Sequence, residues 1–204
     1  VEYLKIETLY ERDLRSFKVN PAVLKNRVYG LIKTWQFTEK IDGMNIRCIW
    51  EGGKLSFGGR TDKAQIPGDL IKWLYENVSA SKLQEIFQQT GVVIYGEGYG
   101  AGIQKGGGDY STEKRFIVFD ILVEGKWWLN RENVLDIAVK LGLETVPFIG
   151  NFTLEEATEL VRQGFPSRLN EGKRQAEGMV GRTIETLFDK NGSRLIVKLK
   201  TKDF

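Results

Sequence analysis

The sequence predicts an α+β protein in which antiparallel β-sheets are flanked by helices. Three observations support this. Strand-like segments fall in local pairs, helical segments are inserted between the pairs, and the apolar residues of the strongest strands recur every second position. The length of 204 residues is that of one domain. With 41% hydrophobic and 28% charged residues, the chain can build an ordinary core.

The elements follow in chain order. Asn20-Pro21 reads as a helix start, with asparagine as the cap and proline at the first helical position. From 37 to 50 the period becomes that of a strand: Met44, Ile46, Cys48 and Trp50 alternate with Asn45, Arg47 and Ile49. Gly52-Gly53 turns the chain into a hairpin partner at 54–57. A helix is predicted over 69–78, and Ser81 with Gln84 three residues on reads as a capping box for another. A short buried strand at 92–95 runs into a glycine-dense segment, 96–102. The strand at 116–123 is expected to place Ile117, Phe119, Ile121 and Val123 on one face and Asp120 on the other. Helices are predicted at 131–141 and 153–163, the second opened by a Thr153/Glu156 capping box. Strands at 178–182 and 195–199 complete the order.

Composition excludes several chemistries. The chain has no histidine, which removes histidine-based triads, histidine zinc sites and histidine general bases. Its single cysteine, Cys48, rules out an internal disulfide and any multi-cysteine metal site. Thirty basic against 27 acidic residues give a formal charge of +3, too small to imply a polyanionic partner. No apolar run is long enough for a membrane span, and no leader pattern opens the chain. An intracellular, cytoplasmic protein is expected (the host cytoplasm, if phage-encoded), without repeats or a membrane partner.

The unusual feature is polar chemistry on short strands. Lys40 stands in an apolar strand context, followed at once by Asp42-Gly43. Such a lysine is ordinarily an edge residue whose stem packs while its ammonium reaches water. As a nucleophile it would need cationic neighbours or desolvation to free its lone pair. Gly58-Gly59-Arg60-Thr61 sets an arginine beside two glycines that let a ligand approach, or simply ends a hairpin. Glu97 lies just past a buried strand, where a carboxylate could meet a ribose hydroxyl or a hard cation. The glycines around it match neither a P-loop nor a dinucleotide fingerprint. Phe119 could stack on a purine or belong to the core. Glu177-Gly178-Met179-Val180 again starts a strand with an acid and a glycine. Lys198 and Lys200 share a strand face, where two ammoniums suggest an anion between them. Singly, none of these decides.

Taken together, and in order, they resemble the motifs of covalent nucleotidyltransferases: ATP-dependent DNA and RNA ligases and capping enzymes. Lys40-Ile41-Asp42-Gly43 resembles motif I, Gly59-Arg60-Thr61 motif Ia, and Tyr95-Gly96-Glu97-Gly98 motif III. The run Phe-Ile-Val-Phe-Asp-Ile at 116–121 resembles motif IIIa, Glu177-Gly178-Met179-Val180 motif IV, and Lys198-Leu199-Lys200 motif V. Within that superfamily the chain is most similar to the RNA ligase 2 branch. Asn45, the Gly102-Ile103-Gln104-Lys105-Gly106 loop and the compact strand at 116–121 carry that likeness. Asp42 departs from it, since many members have histidine there and DNA ligases have aspartate.

The resemblance implies a single nucleotidyltransferase domain over 1–204, ATP-grasp-like, with no appended OB-fold or other C-terminal domain. The implied enzyme is an ATP-dependent RNA ligase acting in RNA repair. Its lysine takes AMP from ATP, passes it to a 5′-phosphate end, and a 3′-hydroxyl then displaces it. Lys40 would be the nucleophile, and Glu39 and Ile41 beside it would bind the nucleotide. Arg60 would contact AMP, Glu97 the ribose and Phe119 the adenine. Lys198 and Lys200 would hold the α-phosphate. Glu177, with Glu97, would bind Mg²⁺ or Mn²⁺, and Asn45 would help to position the end. The expected partners are ATP and RNA ends, nicked or splint-held, and the expected state is a monomer. A catalytic domain of this extent is expected to transfer AMP while holding nicked duplex weakly. A DNA ligase core, a capping guanylyltransferase and a catalytically silent nucleic-acid-binding module remain as alternatives.

Overall fold

The computed structural model describes residues 1–169 and 174–204. The first strands are β1 (Glu7–Thr8), β2 (Tyr10–Arg12), β3 (Val19–Leu24), β4 (Trp35–Glu39), β5 (Met44–Glu51) and β6 (Lys54–Gly59). Helices α1 (Gly68–Asn77) and α2 (Ala80–Phe87) follow, then β7 (Val92–Tyr99), β8 (Arg115–Val123) and β9 (Trp127–Trp128). The remainder is α3 (Arg131–Leu141), β10 (Phe148–Phe152), α4 (Leu154–Gln163), β11 (Gly178–Thr183) and β12 (Ile196–Lys200). Strands and helices intermingle in an α+β arrangement, and among the described residues every pairing between these strands but one is antiparallel. Among the described residues no helix is long and apolar enough to cross a membrane.

The chain forms two compact units. The first comprises Val1–Leu4 and Asp42–Val146. Its sheet has the order β6-β5-β7-β8-β9. Ile46, Cys48 and Trp50 of β5 join a core with Leu70 and Leu74 of α1, Leu83 and Phe87 of α2, and Val134, Ala138 and Leu141 of α3. The alternation in β5 leaves Asn45, Arg47 and Ile49 for the opposite face.

The second unit comprises Lys5–Ile41 and Pro147–Phe204. Its sheet has the order β1-β12-β11-β4-β10, with β1 parallel to β12. Trp35, Phe37, Met179, Val197 and Leu199 pack with Leu154, Ala157 and Val161 of α4. The Thr153 hydroxyl accepts the Glu156 N–H at 3.2 Å and the Glu156 carboxylate accepts the Thr153 N–H at 2.9 Å, the capping box the sequence predicts.

The structure corrects four local expectations. Asn20-Pro21 does not begin a helix. It lies in β3, where Asn20 pairs with Glu11 and its side chain accepts the Ala22 N–H at 3.1 Å. In a two-stranded sheet each strand has a free edge, so the missing proline N–H is tolerated. The cap of α2 is Ser79, not Ser81: Ser79 accepts the Lys82 N–H at 3.3 Å, while Ser81 lies inside the helix and shares a hydrogen bond with Ser79. Strand β7 does not stop at Tyr95 but runs through the glycines to Tyr99.

The alternation of β8 also breaks. Tyr95 pairs with Asp120 but Gly96 pairs with Val118, so Phe119 is the extra residue of a bulge. Phe116 and Val118 therefore share the core with Ile121 and Val123, and Ile117 falls on the other face.

Candidate active site

The second unit gathers the reactive cations. In β4, Trp35 and Phe37 face the core, and the register places Glu39 opposite Met179, itself opposite Leu199. The alternate positions, with Thr38 opposite Val180 and Val180 opposite Lys198, form the other face of the sheet. Lys198 and Lys200 both lie on that face. Lys40 follows β4, and its N–H is donated to the Gly178 carbonyl at 2.9 Å.

Glu177 stands between two of these lysines. Its Oε2 is 2.6 Å from Lys40 Nζ and its Oε1 is 2.5 Å from Lys200 Nζ. The three side chains retain 23%, 18% and 12% exposure for Lys40, Lys200 and Glu177, enough for a ligand to reach. The next residue explains how Glu177 is held there. Gly178 has φ +152°, and a Cβ on it would lie 2.0 Å from the Leu199 carbonyl oxygen, so the strands can approach only at a glycine. The Glu177 carbonyl accepts the Thr201 N–H at 3.0 Å.

The electrostatics follow from this packing. Burial by itself would raise the Glu177 carboxyl. The charges and hydrogen bonds of Lys40 and Lys200 outweigh it and hold the group below the usual carboxylate range. Lys198 is lowered to about 8, first by burial and then by the neighbouring cations Lys200, Lys5 and Lys40. Glu177 and, more weakly at Lys198, Glu7 stand against Lys5, Lys40, Lys198 and Lys200, and the surplus of ammoniums leaves positive charge that an oxyanion would neutralise.

Glu39 and Ile41 lie differently. Glu39 is 1% exposed: its carboxylate accepts the Ser167 hydroxyl at 2.5 Å and the Arg168 N–H at 2.8 Å. Burial pushes this carboxyl up, with the two hydrogen bonds opposing. The Glu39 side chain is thus committed to its own protein, and Ile41 is buried.

The first unit holds the remaining candidates. Asn45 of β5 and Glu97 of β7 are directly paired, on the face away from the helical core. Among the described residues, Asn45 Oδ1 is a buried oxygen with no hydrogen-bond partner. Phe119 sits in the bulge of β8, half-buried, in a T-shaped pair with Tyr3 at 5.1 Å between ring centres. The Tyr3 hydroxyl donates to Asp120 at 2.7 Å. Arg60 is exposed one residue past β6, at the sheet edge.

Several supports of these residues escape a reading of the sequence. The Asp42 N–H is donated to the Tyr110 hydroxyl at 3.2 Å, and the Gln104 amide donates to the Gly43 carbonyl at 3.1 Å. Both contacts span more than 60 residues, and no local pattern announces them. Arg182, which donates to the Thr38 hydroxyl at 3.3 Å, was within reach of the strand period: Gly178, Val180 and Arg182 are alternate residues of β11.

Among the described residues no group of three or more acidic or cysteine side chains could cage a metal ion. Glu177 offers two hard oxygen donors in the second unit, and Glu97 offers its own in the first. One carboxylate suits a divalent cation that keeps water and takes ligands from phosphate, as Mg²⁺ does, rather than an all-protein cage.

Comparison with known proteins bears on the family and the fold. Residues 33–200 match the family model for RNA ligase. No curated protein sequence matches the chain. Solved structures do. A variant Naegleria gruberi RNA ligase with AMP and Mn aligns with TM-score 0.69 at 15% identity, over 97% of this chain and 61% of that one. The same organism's RNA ligase with PPi aligns with TM-score 0.68 at 15% identity, over 98% and 62%. An apo variant of Naegleria gruberi RNA ligase R4a aligns with TM-score 0.65 at 17% identity, over 83% and 50%. The likeness at such identities is one of fold, and the chain spans half to about three-fifths of these proteins.

Proposed function

The chain belongs to the RNA ligase family, and from that premise we propose that it activates RNA 5′-phosphate ends with AMP drawn from ATP and seals them to 3′-hydroxyl ends. The observation that carries the reading is the Lys40–Glu177–Lys200 cluster, with Lys198 on the same sheet face.

Lys40 Nζ is the proposed nucleophile. It passes a proton to water, which reaches its partly exposed side chain, and forms a P–N bond to the α-phosphorus, while the bond to the bridging oxygen breaks and pyrophosphate leaves with that electron pair. Lys198 and Lys200 neutralise the charge that develops on the α-phosphate oxygens. Glu177 orients Lys40 and Lys200 through its two oxygens. Held below the usual carboxylate range, it serves better as an anchor than as a base. Glu177 would hold Mg²⁺ or Mn²⁺ together with phosphate oxygens, and the metal would supply Lewis-acid stabilisation of the phosphoryl charge. Glu97 is proposed to accept from the ribose, and Phe119 to stack on the adenine. Asn45, with an unused buried acceptor, would take a hydrogen bond from the incoming substrate. In the later steps the 5′-phosphate displaces Lys40 from AMP, and the 3′-hydroxyl then displaces AMP.

The test is incubation with α-labelled ATP and Mg²⁺ followed by denaturing electrophoresis. Label that is retained by the wild type and lost in Lys40→Ala supports the reading. An unlabelled wild type, with no AMP already attached by mass spectrometry, overturns it. Joining of DNA in preference to RNA at the nick would keep the chemistry and change the substrate.

A further inference from the structure

Arg47 is a charged side chain in the middle of an otherwise core-building strand, with only 3% of its surface exposed. Its guanidinium makes two bonds. Nε donates to the Gly59 carbonyl at 2.7 Å and Nη2 to the Asp62 carboxylate at 2.7 Å. These two acceptors bracket Arg60 in the chain, one residue before it and two after.

The first of the two glycines ahead of Arg60 has the same explanation. Gly58 pairs with Arg47 across the strands, and a Cβ on Gly58 would lie 2.8 Å from Arg47 Nη2 and 3.2 Å from its Cζ. The guanidinium therefore lies across the bare α-carbon. A Cβ on Gly59 would lie 2.7 Å from the Ala64 methyl. The space beside these glycines is filled by the protein's own Arg47 and Ala64. Gly58 lets Arg47 reach the backbone that carries Arg60, and Arg60 is left exposed as the group that can meet an anion.

We propose that Arg47 is a positioning residue: one buried guanidinium pins the chain on both sides of Arg60 and so fixes where Arg60 presents its fork to the nucleotide or the RNA phosphate. This rests on the assignment of Arg60 to substrate under the proposed function. The side chain has to be arginine. A lysine has a single nitrogen and no planar fork, and it cannot span a carbonyl and a carboxylate that lie on opposite sides of one residue. Burying this cation is costly unless both bonds are made, and the fold of β5 has no need of a charge at that position.

The experiment is a double-mutant cycle on the full chain, with Arg47→Lys, Arg60→Ala and the pair, read in single-turnover adenylylation of Lys40 and transfer of AMP to a 5′-phosphorylated RNA end. Arg47→Lys should slow whichever step Arg60→Ala slows, by about 10- to 100-fold, the scale of a misplaced catalytic group. In the Arg60→Ala background it should cost less than about twofold more, because the two changes remove one function. Losses that simply multiply overturn the proposal. Hydrogen exchange supplies a reading that needs no activity: exchange should rise in segment 58–63 of Arg47→Lys while the core of β5 and β7 stays protected. Unchanged exchange there overturns the positioning role, whereas an unlabelled wild type overturns only the adenylylation reading. Asp62 is 83% exposed and removable without touching the core, so Asp62→Ala should reproduce a smaller part of both effects even if Arg47 variants fold poorly.

Discussion

Replacing Glu177 with glutamine separates what this residue does for the fold from what it does for the chemistry. The carboxylate lies within 2.6 Å of both Lys40 Nζ and Lys200 Nζ. Without its charge, the two ammoniums it bridges repel each other, by a few kcal/mol at an effective dielectric constant near 20 and separations on the order of twice a salt-bridge length. Removing one partner of a buried ionic group costs about 3–5 kcal/mol. This group keeps part of its solvent contact, so the expected loss is at the lower edge of that range, about 2–3 kcal/mol after solvent screening. In a chain of this length that corresponds to a fall in melting temperature of about 4–12 °C.

The second variant makes the argument sharp. Glu177→Gln with Lys200→Met removes one of the two repelling charges and should recover about half or more of the lost stability, while leaving AMP transfer as depressed as in the single variant or worse. The assay is thermal unfolding followed by circular dichroism in low salt, in parallel with labelling from α-labelled ATP. Raising the salt should narrow the gap between wild type and Glu177→Gln. A single variant as stable as the wild type, or a double variant less stable than the single, would refute the claim that Glu177 holds two cations against their mutual repulsion.

Other outcomes follow from the same geometry. Lys198, lowered to about 8, should take up roughly half a proton when AMP binds near pH 8, since phosphate favours the ammonium. Calorimetry in buffers of different ionisation enthalpy reads this, and the uptake should vanish at pH 6, where the group is already charged. The folded value lies below that of ordinary lysine, so the unfolded chain holds more protons between the two. The contribution of Lys198 to stability should therefore rise with pH from about 8 upwards, with Lys198→Met abolishing that slope in urea titrations. Thr153→Ala should cost about 1 kcal/mol through the lost cap of α4 and leave labelling of Lys40 unchanged. Glu39→Ala strands the Ser167 hydroxyl and the Arg168 N–H, and should cost about 2–4 kcal/mol. A loss below about 0.5 kcal/mol in urea unfolding would show that water satisfies both donors.

Much of this was legible in the sequence, for reasons that differ by element. The period of β5 was readable because its two faces meet different surroundings, a helical core on one side and polar groups on the other. The capping box of α4 is local chemistry and could be read from four residues. Asn20-Pro21 misled because a helix cap and an edge strand want the same residues, and only pairing with β2 decides between them. Phe119 was placed by an alternation that assumes no bulge, and the extra residue is set by how β7 pairs with β8, not by β8 itself. The candidate site residues could be picked out as motifs because each sits within a few positions of a glycine or another charge. Their supports were not: Ser167 holding Glu39 and Tyr110 holding Asp42 are contacts across 128 and 68 residues.

The same alternation that builds the second unit's core also builds its chemistry. Each of β4, β11 and β12 spends every second residue on the core, through Trp35, Phe37, Met179, Val197 and Leu199. The intervening positions carry Lys198 and Lys200, and Lys40 and Glu177 stand at the strand ends. A strand locked by its apolar residues holds its polar ones in place, so the ammoniums need no separate scaffold. This also accounts for the absence of histidine. Phosphoryl transfer by a lysine depends on fixed positive charge around the phosphate more than on a proton shuttle near neutral pH. A sheet face that presents lysines around one acid supplies that charge. Under the proposed function the core itself becomes a determinant of catalysis: truncating Leu199, between Lys198 and Lys200, should lower stability by about 2–5 kcal/mol and slow adenylylation at temperatures where the chain is still folded. A Leu199→Ala variant that is destabilised yet fully active when folded would show that the lysines are held by something other than the strand beneath them.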